Sequence, residues 1–218
     1  MKTVLIAATA VAALLAGSAN AAVTFYSYGV GAPIDPLVTN FGGDTLGAQP
    51  TTAAAGFSWA GGGSGVILDT TSGIGAEPAV FPGAYGTGNY LSVQGGDSET
   101  LNVSNPDIHD LIIYSGSLDN YNTISFGGPG VSYTGTQLGL ISGAANGAQT
   151  AANTNGVFVF SFSAPVTSVT FSSSSNSYEI ASIEAGVPEP AVWGMMLVGF
   201  GGMGAAMRAR RKQAAATA

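Results

Sequence analysis

From Ala22 onward glycine interrupts the chain every few residues, and the intervening text is rich in Ser, Thr, Ala and Asn but poor in Leu, Glu and Lys. Glycine costs backbone entropy in a helix, and Ser and Asn compete with the helix for backbone hydrogen bonds. What stands between the turn clusters is a series of short β-branched and aromatic runs. They are "VTFYSY" at 23–28, "GVILD" at 65–69, "NYLSV" at 89–93, "ETLNV" at 99–103 and "DLIIYS" at 110–115, followed by "YNTISF" at 121–126, "GVSYTG" at 130–135, "GVFVFSFS" at 156–163, "PVTSVTFSS" at 165–173 and "SYEIASIEA" at 177–185. Short strands separated by turn signals predict an all-β chain, an antiparallel β-sandwich of jelly-roll type.

Alternation agrees with two packed layers. In "PVTSVTFSS" Val169 and Phe171 share one face and Ser168, Thr170 and Ser172 the other. In "GVFVFSFS" Phe158, Phe160 and Phe162 are core residues, while Val157 and Val159 opposite them predict a central strand covered in part on both faces. Residues 29–64 and 139–155 offer few bulky side chains and read as long surface loops, with a short helix near 142–152. The polar tract "SSSSN" at 172–176 reads as a hairpin tip.

Charge placement limits the partners. The five basic residues are Lys2, Arg208, Arg210, Arg211 and Lys212, whereas all twelve acids lie from Asp35 to Glu189, so the body of the chain carries a formal charge of about −12 and no Lys or Arg. Nucleic acid is excluded, because neutralising phosphate needs those cations. The bidentate arginine grip on carboxylates and phosphates is also missing. With no cysteine, neither a disulfide nor a thiolate is available. The fold then rests on the core that the ~165 residues of 22–186 can bury.

Both ends read as targeting segments. Lys2, the apolar run Val4 to Leu15 and the small-x-small exit Ala19-Asn20-Ala21 form a secretory signal at 1–21, cut by signal peptidase before Ala22. At the other end, residues 191–207 carry no charge, about 25 Å as a helix and near the lower limit for a transmembrane span. The basic cluster at 208–212 follows at once and belongs on the cytoplasmic side of the inner membrane, leaving the acidic domain outside. Pro188 and Pro190 hold the segment before the helix extended and open to an enzyme cleft.

Pro188-Glu189-Pro190, then Trp193, the apolar helix and finally Arg208, Arg210 and Arg211 resemble the PEP-CTERM sorting signal in its variant with Trp three residues after the second proline. The resemblance covers 187–213 and implies processing by an exosortase, a membrane-embedded cysteine transpeptidase. It also implies passage through the inner membrane of a Gram-negative bacterium to the cell surface or beyond. A second stretch, "YSGSLDNYNTISF", resembles exosortase-dependent surface proteins with a GSxDxYNT motif, here Gly116, Ser117, Asp119, Tyr121, Asn122 and Thr123. The family position held here by Ser115 is often tryptophan. That resemblance implies a surface sandwich and no reaction.

The residues give no sign of an enzyme. His109, the one histidine, stands between Asp107 and Asp110, and "GGGSG" at 61–65 is followed by Val66, which breaks the spacing of a nucleophile elbow. Asp97 with Glu99 and Asp107 with Asp110 lie in turn-like text that fixes no carboxylate pair. No cofactor is expected. Calcium is the one metal the oxygen-rich turns suggest, with Asp119 and Asn122 as ligands, while the competing reading makes "GSLDNYN" a tight hairpin between its flanking strands.

Two functions follow. One is a structural surface or matrix protein beside exopolysaccharide, hydrated by its anionic surface. The other is a carbohydrate-binding or calcium-dependent adhesion module that stacks sugar rings on Tyr85, Tyr90, Tyr114, Tyr121 or Tyr133. Coplanar rings on an open face favour binding, and a face of Ser and Thr favours the structural role. An ice-facing surface needs a ladder of Thr pairs, and "TGT" at 134–136 is the one sign of it.

Overall fold

In a computed structural model of the chain, residues 21–27, 35–79 and 88–186 are described. The strands are β1 (Ala21–Ser27), β2 (Leu37–Thr39), β3 (Phe57–Trp59), β4 (Val66–Leu68), β5 (Tyr90–Val93), β6 (Asp97–Val103), β7 (Asp110–Gly116), β8 (Asn122–Gly127) and β9 (Val131–Thr134). Helix α1 (Gly135–Ser142) precedes β10 (Gly156–Phe162), β11 (Ser168–Ser173) and β12 (Tyr178–Gly186).

One sheet runs β1-β10-β7-β12-β5-β4, with β2 also paired to β12, and every pairing is antiparallel. The other layer contains β11-β8-β9 and β3-β6. Its two parts meet along β6 and β11, where Val103 N donates to Thr167 O at 2.8 Å, Gly96 N to Ser173 O at 2.8 Å, and the Thr100 and Thr170 hydroxyls lie 2.8 Å apart. The sequence-predicted antiparallel sandwich is therefore the fold.

The core is where the alternation places it. Phe158, Phe160 and Phe162 of the first sheet meet Ile124, Phe126 and Phe171 of the second. The ring of Phe126 lies 4.7 Å from both Phe160 and Phe162. Val157 faces the other way and is also fully buried, so β10 is covered on both faces. Strand β12 is buried along its whole length. A register shift between Ile180 and Ser182 lets Ile183 and Ala185 rejoin the core face of Tyr178 and Ile180. Ala181 is left on the opposite side, as are Glu179 and Glu184.

Several local expectations are corrected. The 29–64 segment contains two short strands, β2 and β3, and a fully buried Phe41, so it is partly sheet rather than loop. The helix lies at 135–142, not 142–152. A capping box starts it, with Gln137 N donating to Thr134 Oγ1 and Thr134 N to Gln137 Oε1, and Gly143 at φ 103° stops it. Neither "GSLDNYN" nor "SSSSN" is a hairpin. β7 and β8 lie in different sheets, as do β11 and β12, so both connections cross between layers.

Replacing Phe160 by Ala removes one of the rings that join the two layers. The expected loss is about 3–5 kcal/mol of unfolding free energy, read by urea denaturation. A loss under about 1 kcal/mol would mean the layers do not depend on this contact.

Candidate functional site

Three crossings between the layers meet at one corner: Gln94–Gly96 from β5 to β6, Ser117–Tyr121 from β7 to β8, and Ser174–Ser177 from β11 to β12. Asn122 ties two of them together. Its Oδ1 accepts from Asp119 N at 2.7 Å, and its Nδ2 donates to Ser173 Oγ and to Ser177 O, both at 3.1 Å. The side chain of Asn176 receives Gly95 N at 2.8 Å and brings in the third crossing. Asn155, fully buried, accepts from Ser117 N at 3.0 Å and donates to Ala148 O and Ala151 O, fastening the 143–155 segment to the same corner.

A buried carboxylate lies beneath this corner. Glu179 is 2% exposed. Its Oε2 accepts from Ser117 Oγ at 2.7 Å, and its Oε1 accepts from Ser177 Oγ and from Ala76 N at 3.1 Å. Burial pushes the Glu179 carboxyl above the usual range, against those three donors, and Asp119 pushes it further. Gly116 ends β7 beside this group because a Cβ there would stand 2.6 Å from Pro78 Cβ.

Tyr121 Oη lies 2.6 Å from Asp119 Oδ2 and 2.7 Å from Asn176 O. A phenol has one proton for these two acceptors. The phenol therefore shares its one proton between the Asp119 carboxylate and the Asn176 carbonyl. Burial raises the Asp119 carboxyl, against the lowering effect of the hydrogen bond it accepts from Tyr121, and raises the Tyr121 phenol as well.

Two clefts open on either side of Tyr121. The smaller, about 220 Å³, is walled by Ser117, Asp119, Glu179, Asn176 and Gln149, among other polar groups. The larger, about 400 Å³, is lined by Asp97, Ser98, Thr123, Ser172 and Ser174. It opens onto the outer face of the second layer, which is tiled by Ser98, Thr100 and Asn102 of β6, Ser168, Thr170 and Ser172 of β11, Thr123 and Ser125 of β8, and Ser132 and Thr134 of β9. Neighbouring strands keep these groups in rows, with Thr170 opposite Ser125 and Ser125 opposite Ser132, their hydroxyls 2.9 Å apart. Asp97, at the start of β6, lines the larger cleft, and no other acid stands among the exposed or half-buried residues of these four strands.

The sequence-predicted residues divide clearly. Ser117, Asp119 and Tyr121 meet at the small cleft, and Thr123 lines the large one. Asn122 is fully buried with its amide engaged at both ends, so it presents no open oxygen beside Asp119. Among the described residues no group of three metal-ligating side chains occurs. Tyr90, Tyr114 and Tyr133 are buried and Tyr85 lies outside the described residues, which leaves Tyr121 as the tyrosine of that set on a cleft. His109 Nδ1 lies 3.1 Å from Phe162 O, as a strand-to-strand tie. Glu99 is buried against Gly65 N, whereas Asp97, two residues earlier on the same strand, is half-buried and lines the larger cleft.

Glu179 went unnoticed in the sequence. Its signal was a glutamate within the apolar run "SYEIASIEA", preceded by serines able to satisfy it.

Ala21 and Ala22, flanking the expected signal cleavage point, open β1, and Ala19 lies outside the described residues. Pro188, Glu189, Pro190, Trp193, Arg208, Arg210 and Arg211 also lie outside them, as does the expected span at 191–207. No helix among the described residues is long and apolar enough to cross a membrane. Comparison with protein families matches residues 186–212 to the PEP-CTERM protein-sorting motif. The chain carries a PEP-CTERM sorting signal. It begins where β12 ends, at Gly186, and marks the protein for exosortase-dependent sorting to the bacterial cell surface. No curated protein and no solved structure matches the chain.

Two outcomes test the corner. Asn122→Ala should cost about 2–4 kcal/mol by urea denaturation, because it leaves buried donors and acceptors without partners. The carboxyls of Glu99, Asp119, Glu179 and Glu184 are all raised, chiefly by burial. The folded chain therefore holds protons that the unfolded chain has released. Stability should rise as pH falls through the folded values and level off near the ordinary carboxyl range at about 4. A lower thermal midpoint at about pH 5 than at about pH 7 would contradict these shifts.

Proposed function

We propose that this chain is a non-catalytic structural protein of the cell surface or extracellular matrix of a Gram-negative bacterium, exported after signal peptidase cleavage and carried beside exopolysaccharide once its exosortase signal has acted. The observation that supports this best is the outer face of the second layer, an uncharged array of hydroxyls and amides on a domain without Lys or Arg. Strand spacing puts its groups about 4.8 Å apart across the sheet and about 6.8 Å apart along it. Such a surface holds water and offers hydrogen bonds to neutral polymers without gripping polyanions. Thr123 faces Thr134 and Thr100 touches Thr170, but Ser, Asn and Gly127 interrupt the rows, so the face is not a continuous Thr ladder.

The carbohydrate-binding reading gains one specific observation, the cleft beside Tyr121. It and the structural reading are compatible, because a matrix protein benefits from contact with its polymer. Calcium-dependent adhesion gains nothing comparable, since Glu179 already receives three donors and Asn122 is engaged.

The test is fractionation of the native host. The wild-type protein should be recovered with the extracellular polysaccharide. A variant with Pro188, Glu189 and Pro190 replaced by Ala should stay in the envelope. Wild-type protein found free in the medium, with none in the polysaccharide fraction, would sink the proposal.

A further inference from the structure

We infer that the two clefts sharing Tyr121 form one binding site for a neutral oligosaccharide, with the chain lying on the hydroxyl-tiled face and its end residue entering the small cleft. This rests on the polysaccharide-facing reading above and names the site through which that contact is made.

Size sets the ligand first. The small cleft, about 220 Å³, is below the roughly 300–1,000 Å³ of pockets for drug-sized molecules. It suits one small ring or the end of a polymer, not the middle of one. The larger cleft beside it, about 400 Å³, lies at the edge of the second layer and extends the available length. Tyr121 lines both. Its hydroxyl is held by Asp119 and Asn176, so the ring is fixed before any ligand arrives. A ring fixed in advance loses no rotamer entropy when a ligand binds.

Chemistry sets the class. Ser117 and Ser177 are turned toward Glu179, which leaves their hydroxyl oxygens as acceptors. Asp119 Oδ2 accepts from Tyr121, and Asp119 lines the cleft. Gln149 and Ser72 stand exposed at the rim and can both give and accept. A polyol, each of whose hydroxyls donates and accepts, matches this mixed wall. A hard divalent cation wants six to eight oxygens with carboxylates among them. Here Glu179 already accepts from three neutral donors. An anionic sugar would meet Asp119 and Glu179 in the small cleft, Asp97 in the large one, and no Lys or Arg anywhere in residues 22–186. Charge therefore selects a neutral glycan.

The test titrates neutral oligosaccharides, prepared from the exopolysaccharide of the native host, into the full-length chain by calorimetry. Calcium ion and an anionic oligosaccharide from the same source are titrated alongside. Gly73 lies on the rim of the small cleft with nothing within 4 Å of the position its Cβ would take, so Gly73→Trp fills the mouth without disturbing the fold. Saturable binding of the neutral chains is expected, weakened at least about tenfold by Gly73→Trp and by Tyr121→Ala, with the thermal midpoint of Gly73→Trp unchanged. Because Tyr121→Ala removes part of the corner and can unfold the chain, Gly73→Trp carries the decision. Absence of binding by the wild type, binding that Gly73→Trp leaves intact, or heat with calcium or the anionic chain alone each overturns the inference. If the wild type fails to bind yet still fractionates with polysaccharide, the site is wrong and the surface role stands. If it binds but never fractionates there, the surface role is wrong and the site stands.

Discussion

A domain with no lysine or arginine can meet its buried acids only with neutral donors, and much of this structure is arranged around that requirement, although Asp44 Oδ2 and Glu184 Oε1 stay buried without a hydrogen-bond partner among the described residues. Glu179 is held by two serine hydroxyls and a backbone N–H. Asp44 receives Thr51 N, Thr51 Oγ1 and Thr52 N, all through Oδ1. Glu99 takes Gly65 N, where any side chain at Gly63 would collide with its carboxylate, and Glu184 takes Asp35 N. Burying an ion without a counter-ion costs several kcal/mol, which hydrogen bonds only partly offset. The carboxyls respond by holding their protons more tightly. The abundance of Ser, Thr and Gly is the compositional side of the same fact, since these residues bring hydroxyls and close-lying backbone N–H groups to the acids.

That requirement also joins fold to function. β12 is the hub of the first sheet, paired with β7 on one side and with β5 and β2 on the other. Its Glu179 draws in Ser117 from the β7–β8 crossing and Ser177 from the β11–β12 crossing. The corner that fastens the layers is thereby the place where polar groups gather around a cleft. The GSxDxYN residues serve both purposes. Asn122 is structural throughout, whereas Asp119 and Tyr121 stabilise the corner and also face open space.

How much of this could be read from the sequence depends on the range of the interaction. The core faces of β10 and β11 were legible because alternation is a local pattern, and Phe158, Phe160 and Phe171 lie where it puts them. β2 and β3 escaped because three-residue strands in Gly- and Pro-rich text show no period, and their pairing is supplied by Ile183 and Leu101, far along the chain. The hairpin readings failed for a related reason. Asx and glycine chemistry predicts that the chain turns, but which sheet the next strand joins was decided by contacts such as Asn122 with Ser177, 55 residues apart. Glu179 was hidden by a wholly buried strand, where polar and apolar neighbours do not alternate. The sorting signal was legible because it is a linear order of proline, aromatic, apolar and basic residues that needs no fold.

Removal of both ends would leave a mature chain without a single Lys or Arg, because all five lie at Lys2 or at 208–212. The most direct measurement is the intact mass of the protein recovered from the envelope and medium of its native host. A mass matching a start at Ala22 and an end near Glu189, in a chain that trypsin leaves uncut, is the predicted result. A mass retaining Arg208 to Ala218 would mean that the tail is kept as an anchor, and would contradict a cation-free surface domain released by its sorting signal.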